Sequence, residues 1–130
     1  MKTILIVDDD RLVLRALSRT LTSTFVVTRS EGVGEALGLI ADGHRFDVIL
    51  CDMLLGDGSG RDFYEGVLRY CPPQADRVLF LSGLVSFDDP EQPDAFAEAT
   101  VGRHMAKPCS TAELVARTRA VAESPDAIAA

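Results

Sequence analysis

Two apolar runs, each ending in carboxylate, constrain this chain more than anything else in it. The first is Ile4-Leu5-Ile6-Val7, which gives way at once to Asp8-Asp9-Asp10. The second is Val48-Ile49-Leu50-Cys51, which ends in Asp52 and is followed by the glycine-rich turn Met53–Gly60. Unbroken aliphatic runs rich in Ile and Val are the mark of strands buried on both faces of a parallel sheet. Open sheets of that kind collect their chemistry at the carboxyl ends of the strands. With the two strands as neighbours, Asp8, Asp9 and Asp52 converge there. Carboxylates so close repel one another, and the cluster calls for a cation. An all-oxygen donor set suits a hard divalent ion, Mg²⁺.

The 130 residues suffice for one domain with an ordinary core. Thirteen basic residues against twenty acidic give a net charge of −7. That balance argues against direct binding to nucleic acid, where affinity rests on neutralising phosphates, and against adhesion to an anionic membrane. Cys51, Cys71 and Cys109 are widely spaced and form no CxxC, so they read as thiols of a reducing cytosol rather than metal ligands. Met1 leads straight into a strand without a signal-peptide pattern, and no apolar run approaches the ~18 residues of a membrane span. A cytoplasmic protein is expected.

In chain order, Lys2–Val7 reads as the first strand and Arg11–Ser23 as a helix whose apolar face is Val13, Leu14, Leu17 and Leu21. Phe25–Thr28 is a short strand. Ser30 is the expected cap of the next helix, whose face is Val33, Leu37 and Ile40; Gly32, Gly34 and Gly38 weaken it and Gly43 closes it. Phe46–Cys51 is the third strand. Ser59 precedes a helix carrying Phe63, Tyr64, Val67, Leu68 and Cys71 on one side, stopped by Pro72-Pro73. Arg77–Gly83 holds a fourth buried strand that ends in the Ser82 hydroxyl. Leu84–Gln92 reads as a loop, with Asp88-Asp89-Pro90-Glu91 as solvated acid, and Pro93–Thr100 as a short helix. His104–Pro108 is a short fifth strand with a terminal lysine, Lys107. Ser110-Thr111-Ala112-Glu113 matches a capping box and opens the last helix, with Leu114, Val115 and Val121 inward. The expected domain is 1–124, with 125–130 a flexible tail.

Strands alternating with helices make this an α/β chain of five βα units, a doubly wound parallel sheet with helices on both faces. Right-handed crossovers leave few arrangements, and the flavodoxin-like order 2-1-3-4-5 sets strands one and three side by side.

Asp8 and Asp9, Asp52, Ser82 and Lys107 then stand at the ends of four strands. In this pattern, over about Lys2 to Glu123, the chain resembles the CheY-like receiver domain of two-component response regulators. The resemblance implies that Asp52 is the phosphoacceptor, taking a phosphoryl group from a histidine kinase or a histidine phosphotransfer protein. It implies Mg²⁺ on Asp9, Asp52 and the backbone carbonyl of Leu54, with Asp8 acting largely through bound water, so that charge is offset and the partners are held in line. Lys107 would meet one phosphoryl oxygen and Ser82 another, with Pro108 following in a cis bond. Ser82 and the residue at position 104 would form the switch that passes the signal to the face of helix 4, strand 5 and helix 5. The expected role is a phosphoacceptor signalling domain rather than an enzyme, assisting its own phosphorylation and dephosphorylation. An unidentified downstream protein reads it, and a homodimer is one assembly open to it.

Departures from the family pattern are individual to this chain. Gly56 stands where proline is common, which predicts a looser loop. His104 stands where tyrosine or phenylalanine is usual, and a smaller polar ring weakens the usual coupling; a purely structural histidine stays open. Asp10 reads as a helix cap or solvated acid, and Asp47, Asp57 and His44 as surface or turn residues. Leu54 and Leu84 flank the acceptor and predict a moderately long-lived acyl phosphate. Two other readings are weighed. A pseudo-receiver keeps the fold as a phosphorylation-independent binding module. A haloacid-dehalogenase-like phosphatase would use Asp8-Asp9-Asp10, but after Lys107 only Glu113, Glu123 and Asp126 remain, without the acidic pair it needs. No output domain is recognisable, so a stand-alone regulator and a receiver excised from a hybrid kinase or longer regulator both stay open.

Overall fold

The computed structural model describes residues 1–83 and 95–125. The strands are β1 (Thr3–Val7), β2 (Val26–Ser30), β3 (Val48–Asp52), β4 (Val78–Ser82) and β5 (His104–Ala106). The helices that alternate with them are α1 (Arg11–Leu21), α2 (Val33–Ala41), α3 (Gly60–Tyr70), α4 (Ala95–Ala99) and α5 (Thr111–Ala122). Between β3 and α3 the pairs Leu54–Leu55 and Gly58–Ser59 close a small antiparallel hairpin. The five strands form one parallel sheet in the order β2-β1-β3-β4-β5, as expected for a flavodoxin-like chain.

Alternation along the strands divides the core into two layers. Ile4, Ile6, Val48, Leu50, Leu79, Leu81 and Met105 face α1 and α5, where Leu14, Leu21, Leu114 and Ala122 cover them. Leu5, Val7, Ile49, Cys51, Val78 and Phe80 face the other way, onto α2, α3 and α4 through Ala36, Ile40, Phe63, Val67 and Phe96. The central strands are therefore apolar on both sides, which is why their sequence shows no alternation.

Register then fixes the site. Val7 lies opposite Cys51, so Asp8 and Asp52 end adjacent strands at the same level. Asp52 lies opposite Leu81, one residue before Ser82, and Ser82 lies opposite Ala106, one before Lys107.

Several local expectations are corrected. Phe25 is buried but precedes β2, which runs on to Ser30. Leu68 is 43% exposed on α3 rather than inward. Pro72-Pro73 ends α3 and also starts a single helical turn, Pro72–Ala75, with proline in its first turn where a missing N–H costs nothing. Arg77 falls just before β4, 1% exposed, its Nη1 donating to the Val121 carbonyl at 2.7 Å and tying the end of α5 to the sheet. The loop Leu84–Gln92 with its acidic stretch, the start of the helix expected from Pro93, and residues 126–130 of the tail lie outside the described residues. Among the described residues no helix is long and apolar enough to cross a membrane.

Candidate functional site

At the carboxyl edge of the sheet, β1 delivers Asp8 and Asp9. Asp8 has no exposed surface. Its Oδ1 accepts the Asp10 N–H at 2.9 Å, and its own N–H donates to the Ser30 carbonyl at 3.0 Å. Asp9 is exposed beside it. Asp10 turns outward and caps α1, accepting from the Leu12 and Val13 N–H groups. Asp52, at the end of β3, is half-buried, with Oδ1 accepting from the Leu54 N–H at 3.3 Å. Oxygens of Asp8, Asp9 and Asp52 all lie within 4.8 Å of one another.

One cation answers them. Lys107 Nζ stands 3.1 Å from Asp52 Oδ2 and 3.3 Å from Asp8 Oδ2. Its backbone N–H donates to the Ser82 carbonyl at 2.7 Å, which docks the lysine to the end of β4, and the Lys107–Pro108 bond is cis. Burial lowers the Lys107 pKa, but the Asp52 hydrogen bond and the Asp8 and Asp52 charges outweigh it, so the ammonium is held above its usual range. Burial raises the Asp8 carboxyl, against the opposing pull of the Asp10 N–H and Lys107. Burial, then the Asp52 and Asp8 charges, push the Cys51 thiol well up, which makes it an inert core residue rather than a nucleophile. Three carboxylates against one ammonium leave an excess of negative charge, all on oxygen, at a partly desolvated edge. That donor set fits a hard divalent cation.

Gly56 keeps the edge open beside Asp9, and Gly60 lets α3 start close against the end of β3. A Cβ on Gly56 would stand 3.3 Å from Asp9 Oδ2. A Cβ on Gly60 would meet Met53 Sδ at 2.8 Å and the Asp52 carbonyl oxygen at 3.1 Å. Leu54, two residues after Asp52, is 57% exposed.

Ser82 is half-buried at the same edge. His104 lies further back, opposite Phe80. Its ring stacks on Phe80 at 5.0 Å between centroids and meets Phe96 of α4 edge-on at 5.9 Å. His104 Nε2 is 2.8 Å from Thr100 Oγ1. Since the Thr100 hydroxyl donates its one proton to the Phe96 carbonyl at 2.8 Å, it accepts from His104, which fixes the proton on Nε2. The ring is thus turned inward and fastened just beyond α4.

Asp57 is the residue that sequence reasoning missed. Read as a surface or turn group, it spans from the hairpin to the start of α2, where its two oxygens accept the Val33 N–H at 2.8 Å and the Gly34 N–H at 3.0 Å. Those two bonds, Gly34's first, draw its carboxyl below the ordinary range. The signal available in sequence was a helix whose cap position, Gly32, has no side chain to do the work.

The model of the response regulator receiver domain family matches residues 4–119. Among solved structures, the chain is similar to one from Rhodopirellula baltica described as an adenylate cyclase, at 29% identity and a TM-score of 0.79, covering 98% of this chain and 92% of that one. It is also similar to a CheY-like response regulator receiver domain protein from Methanospirillum hungatei (24% identity, TM-score 0.78, 95% and 94% covered). A response regulator receiver protein from Sinorhizobium medicae follows at 21% identity, TM-score 0.75 and 95% of each chain covered. At such identities these last two speak for the fold alone. No curated protein matches the chain. The family match spans nearly the whole sheet and both helical layers, and on it the chain belongs to the response regulator receiver domains, a family of signalling domains.

Proposed function

We propose that this receiver domain accepts a phosphoryl group on Asp52 from a histidine kinase or a histidine phosphotransfer protein in the cytoplasm. The observation that carries the reading is the pairing of Asp52 Oδ2 with Lys107 Nζ at 3.1 Å, beside Asp8 and Asp9. In the step, an Asp52 oxygen attacks phosphorus as the bond from phosphorus to the donor imidazole nitrogen breaks. The electron pair returns to that nitrogen, and an acyl phosphate remains on the domain.

A carboxylate is a poor nucleophile toward a phosphoryl group that already carries negative charge, so the surrounding groups must offset that charge in place. Asp9, Asp52 and the Leu54 carbonyl would hold Mg²⁺ directly, with Asp8 acting through water. Bound there, the ion supplies positive charge to the phosphoryl oxygens. Lys107, kept as ammonium by its carboxylate neighbours, exchanges part of its hold on Asp52 for a phosphoryl oxygen. The Ser82 hydroxyl donates to another. Gly56 leaves room for the incoming group.

The test is intact-mass measurement of the protein after incubation with Mg²⁺ and acetyl phosphate, beside Asp52→Asn. The expected result is a gain of one phosphoryl group that requires Mg²⁺ and is absent in the variant. No gain from acetyl phosphate or from a histidine kinase, with the fold intact, would instead mark a pseudo-receiver. Phosphate turnover that survives loss of Asp52 but not of Asp8 would point to a phosphatase.

A further inference from the structure

α1 separates two grooves of opposite character. Towards α5, Val13, Ala16 and Leu17 line an apolar cavity of about 510 Å³ whose rim reaches Lys107 and Pro108. Towards the edge strand β2 the lining turns basic. Arg15, Ser18, Arg19 and Thr22, at three- and four-residue spacing on one face of the helix, meet Val27 and Arg29 of β2 across a hollow of about 360 Å³. Among the described residues none of these three arginines makes an ion pair or a side-chain hydrogen bond. Glu31, engaged by Arg11 at 2.7 Å, and Glu35 line an adjoining hollow that Arg15 and Arg29 also reach, yet among the described residues neither carboxylate forms an ion pair with those two arginines.

This gathering is unfavourable in isolation. Like charges four apart destabilise a helix, and Arg29 adds a third from the neighbouring strand. Carboxylates are in surplus on a chain of net charge −7, yet none among the described residues pairs with these guanidinium groups.

β2 adds a second, independent feature. Among the described residues it is the outermost strand and pairs only with β1, so its outer backbone N–H and C=O groups have no sheet partner there. In register, Val27 and Arg29 stand beside Ile4 and Ile6 on the α1 side of the sheet. Val26 and Thr28 stand beside Thr3 and Leu5 on the other side, with Val26 51% exposed. A strand added to this edge would set alternate side chains over the arginines and the rest beside Val26.

We propose that the β2 edge and the α1 arginines form a docking site for an extended acidic segment of a partner protein, with carboxylates at every second position and apolar residues between. Exposed ion pairs are individually weak and screened by salt, so three solvent-facing arginines hold a lone small anion poorly. Backbone hydrogen bonds along the strand edge supply what those pairs lack and set the register. The acidic surplus of the rest of the surface disfavours a long nucleic acid.

The experiment is amide NMR of the full chain, titrated with a peptide of about ten residues alternating Glu and Val. Expected are shifts at Val26–Ser30 and along Arg15–Thr22, and affinity falling about tenfold between low and roughly 0.5 M salt. Asp52→Asn should bind the peptide unchanged, which separates this site from the phosphoacceptor. The Arg15→Glu/Arg29→Glu variant should lose about tenfold in affinity, its own spectrum reporting an intact fold. Equal binding of a Lys–Val peptide, or indifference to charge reversal, would overturn the proposal. So would a peptide that leaves the β2 amides unmoved while sodium pyrophosphate or duplex DNA shifts the arginine region.

Discussion

Asp8 is a carboxylate without solvent, and that makes it a reserve of instability. Burial holds its carboxyl above the usual value of about 3.8 despite the Asp10 N–H and Lys107. A folded-state pKa above the unfolded one means that the folded protein binds the proton more tightly. The Asp8 contribution to stability is therefore greatest in acid and falls as pH rises from 3.8 through the raised value. At neutral pH, without a divalent cation, the charge is carried at a cost. Asn at position 8 keeps the oxygen that accepts the Asp10 N–H and removes the charge. Asp8→Asn is expected to stabilise the cation-free protein by about 1 kcal/mol, read as a higher urea midpoint, and to lose most of the stabilisation expected of Mg²⁺ in the parent under the proposed function. A lower midpoint would show that attraction between Asp8 and Lys107 outweighs the burial of Asp8.

At the scale of elements, the informative piece is the start of α2. Gly32 occupies the cap position in extended conformation. Ser30, expected to cap this helix, instead donates its hydroxyl to the Gly32 carbonyl at 3.1 Å. Asp57 caps from the hairpin, and a Cβ on Gly32 would stand 2.8 Å from Asp57 Oδ1. The glycine that weakens the helix by propensity is thus the one that admits its cap. Asp57→Ala should lower the melting temperature by a few degrees, since capping groups are worth that much in a domain of this size. Gly32→Ala should give a similar loss by displacing the carboxylate, and the double variant little more than either alone. Because the folded pKa of Asp57 is depressed, its contribution is present above about pH 3.8 and fades as pH falls through the folded value. The gap between parent and Asp57→Ala should then shrink as the pH is taken below about 3.8, and a gap unchanged by acid would rule out the carboxylate as its source. The same region shows what sequence could carry. The strands and most helix faces were legible because apolar runs and helical spacing are local signals, and β1 and β3 brought Asp8, Asp9 and Asp52 into reading with them. Asp57 and its partners are 24 and 23 residues apart, and no local pattern encodes that contact. Pro72-Pro73 was legible as a stop but not as the start of a further turn, since proline permits both.

Across the whole molecule, the Asp52 edge and α4 are joined through one aromatic cluster. Tyr64 of α3, Phe80 of β4, Phe96 of α4 and His104 of β5 lie with ring centroids 5.0 to 6.2 Å apart in the contacts they share. Ser82 follows Phe80 by two along β4 and therefore projects to the same side of the sheet as His104. A Ser82 drawn towards a phosphoryl group on Asp52 would open space on that side, next to the His104 ring. The ring has a competing attachment, the Nε2–H bond to Thr100 just past α4. Whether His104 follows Ser82 or stays with Thr100 decides whether α4 responds to a phosphoryl group proposed on Asp52. The expected outcome is that it follows: the His104 ring resonances should move when the protein is phosphorylated with Mg²⁺ and acetyl phosphate, and stay fixed in Asp52→Asn under the same conditions. Thr100→Val removes the competing bond and should raise amide exchange in Ala95–Ala99 by about tenfold without phosphorylation, in keeping with the loss of one hydrogen bond at a buried site. Ring resonances that do not move in fully phosphorylated protein would assign His104 to packing alone and leave the route to α4 with Phe80 and Phe96.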